Sequence, residues 1–294
     1  MINKDQVVTV VDSKPIAIED IKSYITKTFS LEISDTTKLS DVACDFYAPS
    51  ISDTQKLELR KYFFLQKLDC CIQPVETRDK KILLSDMDAT IIENETLDDL
   101  VKISGVTADI DETSRLAMEG KIDIQTTLST RVNYLKDKPK HLIDRVLKNI
   151  KFNPGSDTLV KTLNKLGFVT TLITGGFAPI STFVGNKLSF QNIVSNEFEF
   201  NGDLFSGTYK PITGKKNSKL TYMNKTIEEK RISKHEVLAL GDGANDLGML
   251  SNAGLGIGYH AHNIVVKEIE NQIFFNDLTT VLYYIGIKKK DFSN

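Results

Sequence analysis

Two aspartates, one residue apart, close a run of aliphatic residues in "KILLSDMDAT", Lys81 to Thr90. Ile82, Leu83 and Leu84 read as a buried strand with Asp86 and Asp88 at its tip. Residues two apart on an extended chain share a face, so this spacing aims both carboxylates into one pocket. A second apolar run ends the same way in "LALGDGANDLGML". There Asp242 lies between Gly241 and Gly243, and Asn245 and Asp246 open the next helix. Glycines let backbone approach a ligand closely. Carboxylate oxygens from two strand ends suit a hard cation, and magnesium is held by one or two carboxylates together with substrate phosphate. In "LITGG" a strand ends in the Thr174 hydroxyl, followed by the N–H groups of Gly175 and Gly176. Such donors cradle phosphate at a helix start. Lys215, Lys216 and Lys219 precede the strand of Asp242 and are candidate partners for the same phosphate. Each piece alone also fits a solvated turn or an ordinary strand-to-helix connection. Together, in order on one parallel sheet, the two aspartate-bearing strand ends are specific, while the lysines by themselves read as solvated.

A parallel sheet must hold these residues. "KILLSD", "FVTTLIT", "EVLALGD" and "GLGIGY" are short runs rich in Val, Ile and Leu, alternating with helical patterns such as "SDTLVKTLNKLG". Near-continuous apolar strands of this kind are covered on both faces, in an α/β fold. Ligands on such sheets bind at the carboxyl ends of the strands. Residues about 94–150 break the alternation, being helical in pattern throughout, and read as a cap inserted after the first strand. "NEFEFNGDLFSGTYK" carries an Asn-Gly-Asp turn between alternating runs, the signal of a small inserted β-hairpin at about 196–210. Residues 1–80 read as a separate α+β unit. Its strands are "QVVTVV", "SLEIS", "SDVACDFYA" and "DCCIQPVE", and its helices are "AIEDIKSYITKTF" and "SDTQKLELRKYFFLQKL". That order is ferredoxin-like. A polar joint, "ETRDKK", leads into residues 81–294.

Bulk properties exclude several classes. A chain of 294 residues exceeds one small core. A formal net charge of -2 gives no global field to recruit nucleic acid or anionic lipid. No apolar run approaches the ~20 residues of a membrane span, and "MINKDQVVTV" lacks a signal-peptide core. The expectation is a cytoplasmic protein with a small-molecule substrate and neither nucleic-acid nor membrane partners. Cys44, Cys70 and Cys71 show no zinc-type spacing and read as buried or idle thiols in a reducing compartment. Ferredoxin-like units often bind small ligands or dimerise. A homodimer and an amino-acid-binding regulatory role therefore stay open for residues 1–80.

The set "DMDAT", "TGG", a downstream lysine and "GDGANDLGML" resembles the four motifs of the haloacid dehalogenase superfamily. "NETLDDL", "LAMEGKIDIQTTLSTRVNYLKD", "NEFEFNGDLFSGT" and "AGLGIGYHA" are similar to the bacterial phosphoserine phosphatases within it. The resemblance runs from about Lys81 to Thr280, and residues 1–80 resemble the ACT-like extension that some members carry. It implies a Rossmann-like sheet with a C1-type helical cap. It also implies Mg2+-dependent hydrolysis of O-phosphoserine to L-serine and phosphate through an aspartyl-phosphate, the last step of serine biosynthesis. By the same resemblance Asp86 is the nucleophile and Asp88 the general acid and base. Asp86, Asp242 and the Asp88 carbonyl hold magnesium. Thr174, Gly175, Gly176 and Lys219 hold phosphoryl oxygens, Asn245 lies near the phosphate, and Asp246 orients the lysine or a metal-bound water. The resemblance favours Lys219 over Lys216, because its distance to "GDGAND" matches the family. In the cap, Glu95 pairs the substrate amine, Arg131 forks onto its carboxylate and Met118 packs on it. Two positions depart from the family pattern: Ala89 replaces a common serine, and Ile124 stands where an aromatic is usual. The alternative keeps the chemistry and changes the substrate or acceptor: a phosphotransferase to homoserine, or a phosphatase of another small ester such as phosphohomoserine.

Overall fold

The computed structural model describes residues 5–106, 115–117, 119, 121–212 and 217–293. The first unit runs β1 (Gln6–Val11), α1 (Ile18–Phe29), β2 (Asp35–Lys38), β3 (Ala43–Ala48), α2 (Asp53–Leu65), β4 (Asp69–Pro74). Its four strands lie in the order β2-β3-β1-β4, every pair antiparallel, which is the split β-α-β arrangement. Ser52 starts α2 with a reciprocal capping box to Gln55. The strand expected at 30–34 forms later, at Asp35. Ser30 closes α1 in the left-handed region at φ 50. Leu31 and Ile33 then pack into the core beneath the helices. The backbone meets β3 from the Ser34 N–H, which donates to Tyr47 O (2.8 Å), and the ladder continues with Asp35 opposite Tyr47.

The second unit is built on β5 (Ile82–Ser85), β6 (Val169–Ala178), β7 (Asn192–Asn201), β8 (Leu204–Lys210), β9 (Val237–Gly241), β10 (Leu255–Tyr259) and β11 (Asn271–Ile273). They form one seven-stranded sheet in the order β11-β10-β9-β5-β6-β7-β8, parallel except for β8. The first strand, β5, is central. The chain builds outward to β8 and then returns to lay β9 on the other side of β5, so the strand order reverses there. Such a reversal opens a crevice at the carboxyl ends of the two strands. Side chains along β5 and β9 alternate between two apolar clusters. Ile82, Leu84, Val237 and Ala239 enter one, with Met223, Met249 and Val265; Leu83, Leu238 and Leu240 enter the other, with Leu159, Leu163 and Val281. Burial on both faces explains the near-continuous apolar reading of these strands.

Helices α3 (Thr96–Ile103), α4 (Ile124–Tyr134) and α5 (Leu142–Lys148) follow β5 and pack through Leu97, Leu100, Val132 and Val146. Next come α6 (Ser156–Lys165), α7 (Ile180–Lys187), α8 (Ser218–Lys230), α9 (Leu247–Asn252), α10 (Asn263–Glu268) and α11 (Thr280–Tyr284). The expected hairpin is present, with β7 and β8 paired antiparallel from Glu197 with Lys210 to Asn201 with Leu204. Its first strand begins at Asn192 and pairs in parallel with β6, so the hairpin is the edge of the main sheet. Gly202, at φ +64, and Asp203 form its two-residue turn. β8 in turn bonds the segment after α4. The Asp137 N–H donates to Phe205 O (3.0 Å), the Phe205 N–H to Lys138 O (2.9 Å) and the Lys140 N–H to Asp203 O (2.8 Å).

Buried charge locks the two units together. Arg78, in the joint, forks onto Asp45 of β3 at 2.6 and 2.9 Å and also donates to the carbonyls of Tyr283 and Tyr284. Asp69 accepts the N–H groups of Phe274, Phe275 and Asn276. The Asp45 side chain is 0% exposed and that of Arg78 10%, so removing one partner strands the other's charge. Asp45→Ala is expected to cost about 3–5 kcal/mol in urea unfolding. The double variant with Arg78→Ala should fall short of the sum of the single losses; strict additivity would show that the pair is not coupled.

Candidate active site

β5 stops at Ser85, so Asp86 and Asp88 lie in the loop beyond it. Strand alternation is therefore not what brings them together. The Asp86 N–H extends the ladder by donating to Leu240 O (2.9 Å), and the Met87 N–H then turns onto Asp86 Oδ1 (2.8 Å). The chain reverses through Ala89, at φ +50, a left-handed conformation that disfavours a residue with a Cβ by about 1–2 kcal/mol. Asp88 is fixed by the Thr96 N–H on Oδ1 (2.9 Å), and its Oδ2 lies 3.5 Å from Thr174 Oγ1.

Across the crevice β9 delivers Asp242, whose Oδ1 accepts from Thr90 Oγ1 (2.9 Å). Asp246 is fully buried at the start of α9, and its Oδ2 accepts the Asp242 and Gly243 N–H groups (3.2 Å each). A Cβ on Gly241 would stand 2.4 Å from Asp246 Cγ, so that close approach needs glycine. Lys219 of α8 is 3% exposed and bridges Asp86 Oδ1 and Asp246 Oδ1, both at 2.7 Å. Carboxylate oxygens of Asp86, Asp242 and Asp246 all lie within 4.8 Å of one another.

These charges strain one another. Burial, then Asp86 and Asp246, drive the Asp242 carboxyl well above its ordinary pKa. Burial pushes Asp246 up to about 7, with Asp86 adding and Lys219 opposing. Asp88 also rises to about 7 through burial, against the Thr96 N–H and with Asp86. Burial works against the Lys219 charge, but Asp246 and Asp86 outweigh it and hold the ammonium above its ordinary pKa. One lysine does not neutralise this many carboxylates. The donor set, several buried carboxylate oxygens within a few ångström, fits a hard divalent cation such as magnesium.

Thr174, Gly175 and Gly176 face the same loop, but not at a helix start as expected: β6 runs on to Ala178 and α7 begins only at Ile180. The Gly176 N–H donates to Thr174 Oγ1 (2.8 Å), and a Cβ on Gly176 would stand 2.9 Å from Asp88 Oδ2. Asn245 adds a buried Oδ1 with no hydrogen-bond partner among the described residues.

Glu95 precedes α3. Burial, followed by Asp88, Asp242, Asp98 and Asp86, holds its carboxyl well above the ordinary range. Arg131, near the end of α4, is 6% exposed, with Nε 3.2 Å from Asp98 Oδ1. Its Nη2 is buried without a hydrogen-bond partner among the described residues. Met118, Lys215 and Lys216 lie outside the described residues, as does the side chain of Ile124. Sequence reasoning missed Asp98, although "NETLDDL" sets it one helical turn from Glu95. It also missed His262, whose N–H donates to Asp242 O (2.9 Å) and whose Nε2 lies 3.9 Å from Asp242 Oδ2. No local pattern marks His262, because its neighbour comes from another strand.

Known proteins resemble this chain in sequence and fold. A family model described as haloacid dehalogenase-like hydrolase matches residues 80–254. A probable phosphoserine phosphatase of Schizosaccharomyces pombe is 31% identical over 224 residues, covering 76% of this chain and 75% of its own. A phosphoserine phosphatase solved as a phospho-aspartyl intermediate analogue superposes with a TM-score of 0.67 at 30% identity, over 70% of this chain and 99% of its own. A HAD family hydrolase from Salmonella enterica serovar Typhi superposes with a TM-score of 0.84 at 24% identity, over 96% of this chain and 98% of its own. That likeness is one of fold, and it takes in the first unit as well.

The raised carboxyls set a pH-dependent response to metal. Asp88 and Asp246 titrate near 7 when folded, against an ordinary 3.8. Between those values the folded protein holds protons that the unfolded chain has released. Their contribution to stability is full below about pH 4 and is lost as pH rises through about 7. A bound cation offsets that loss. Magnesium is therefore expected to raise Tm more at about pH 8 than at about pH 5.5, with most of the increment absent in Asp242→Asn. Equal increments at both pH values in thermal melts would count against this cluster as the metal site.

Proposed function

Because this chain belongs to the haloacid dehalogenase-like hydrolases, we propose that it is a magnesium-dependent phosphatase releasing L-serine from O-phosphoserine through an aspartyl-phosphate on Asp86. The observation that carries the reading is a pair of polar groups from the cap with capacity left for a ligand. Glu95 stands among acids that lift its carboxyl pKa, and Arg131 keeps a buried guanidinium nitrogen without a hydrogen-bond partner among the described residues. A ligand carrying phosphate, ammonium and carboxylate answers both groups and the phosphoryl site. Relatives at about 30% identity that are phosphoserine phosphatases support the same choice.

In this reading the Asp86 carboxylate attacks phosphorus. An O–P bond forms to Asp86 while the bond from phosphorus to the serine oxygen breaks. Asp88, at about 7, is partly protonated near neutral pH and gives its proton to the departing oxygen. Asp88 then takes a proton from water as the water oxygen bonds phosphorus and Asp86 leaves. Splitting one displacement into two lowers each barrier. Lys219, the Thr174 hydroxyl and the Gly176 N–H hold the phosphoryl oxygens as charge shifts between them. Magnesium, held by Asp86, Asp242 and the Asp88 carbonyl, would mask the repulsion between carboxylate and phosphate. Asp246 keeps Lys219 charged and in place, and Asp98 helps fix the position of the Arg131 guanidinium.

The test is phosphate release with magnesium across phospho-amino acids, sugar phosphates and an aryl phosphate. O-phosphoserine should be the preferred substrate. A charge-assisted contact is worth roughly 1.5–3 kcal/mol, and about 1.4 kcal/mol is tenfold. Arg131→Ala should therefore lower kcat/KM on phosphoserine by about ten- to a hundredfold and leave the aryl phosphate nearly unchanged. Asp98→Asn should move in the same direction by less. Asp86→Asn should abolish turnover of both. Equal losses on both substrates for Arg131→Ala would refute the carboxylate-reading role.

A further inference from the structure

The phosphate-facing glycines sit in an irregular stretch of the sheet. β6 and β7 pair in parallel at Ile173 with Val194 and again at Phe177 with Asn196. Between these points β6 takes four residue steps and β7 two. The surplus residues bulge out of the ladder and lose their cross-strand partners. That takes the Gly176 N–H out of the ladder, and it donates instead to Thr174 Oγ1 (2.8 Å) on the phosphate-facing side, but the bulge also strips the Gly175 carbonyl of a backbone donor. Asn196 fills the gap. It is fully buried; its Nδ2 donates to Gly175 O (2.9 Å), and its Oδ1 accepts the Ile212 N–H (3.0 Å). This amide orientation alone satisfies both contacts, since a carbonyl only accepts and an N–H only donates.

Gly175 O and the Gly176 N–H are the two ends of one planar trans peptide and point in opposite directions. Holding one end aims the other. A peptide between two glycines meets little steric resistance to flipping. Flipped, it would turn a carbonyl oxygen toward an incoming phosphoryl dianion in place of an N–H. We propose that Asn196 is a positioning residue for phosphoryl transfer, latching the Gly175–Gly176 peptide so that the Gly176 N–H faces the phosphoryl oxygens. Its second arm ties the same latch to Ile212, on the chain leading to Lys219. The inference rests on the reading above that this loop holds the phosphoryl group, but not on which ester carries it.

The discriminating variant is Asn196→Asp in the full chain with magnesium. It keeps the size and the acceptor toward Ile212 but sets an anionic oxygen against Gly175 O. Losing one aligned oxyanion donor typically lowers kcat by ~10²–10³, so a misaimed donor should lower it by about ten- to a hundredfold. The loss should be equal on phosphoserine and an aryl phosphate, and the Ki for orthophosphate should weaken about tenfold. Asn196→Ser, smaller and still polar, carries the same test if the first variant does not fold. A folded variant with wild-type kcat and orthophosphate Ki overturns the proposal, even if its Tm falls, because that pattern marks a purely structural residue. The substrate reading fails separately, if the wild-type protein ignores phosphoserine while turning over the aryl phosphate.

Discussion

Asp86, Asp242 and Asp246 bring carboxylate oxygens within 4.8 Å of one another, with Lys219 2.7 Å from two of them. Most of the architecture serves this concentration of buried like charge. Left to itself, the cluster would protonate or separate, and the lifted carboxyls of Asp242 and Asp246 record that tension. It persists because β5 and β9 are neighbours with apolar packing on both faces. Neither strand has room to shift and relax the repulsion. The need for added positive charge is then a property of the fold, and it matches the cation and phosphoryl chemistry proposed for the site.

Around that centre the supports come from distant parts of the chain. Thr90 holds Asp242, Thr96 holds Asp88, and the N–H groups after β9 hold Asp246. The cap is tied to the same framework. Asp98 and Arg131 join α3 to α4, and the segment after α4 bonds β8. β8 pairs with β7, the strand that carries Asn196 behind the glycine bulge. The cap and the glycine bulge are thus connected through β7 and β8.

The first unit is docked by burial as well as by sequence. Val11, Leu39, Ala43 and Cys71 join the apolar cluster of the second unit, Asp69 spends a buried carboxylate on the N–H groups of Phe274, Phe275 and Asn276, and Asp45 holds Arg78, which reaches the carbonyls of Tyr283 and Tyr284. β4 and β11 lie side by side, with the Ile72 N–H on Asn271 Oδ1 at 3.3 Å. Each edge strand therefore shields the other from outside pairing.

The sequence by itself determined the strand and helix types and the order of the motifs. It also determined the identity of the acids, because apolar periodicity, capping residues and glycine-flanked aspartates are local signals. Asp86, Asp242 and Asp246 were legible because each sits at a fixed offset from such a signal, whereas Lys219 was singled out from Lys215 and Lys216 only through family likeness. Glu95 and Arg131 were legible only through family likeness, since a charge on a helix carries no mark of what it faces. Tertiary structure alone decided the rest. It carried β6 past the glycines as a bulge, drew the hairpin into the main sheet and delayed β2 to Asp35. It also paired Asp98 with Arg131, Thr90 with Asp242 and Asn196 with Gly175. Strand register and side-chain pairing are settled where distant segments meet. The free energy that chooses between registers lies in contacts across the fold, and no single stretch of sequence contains it.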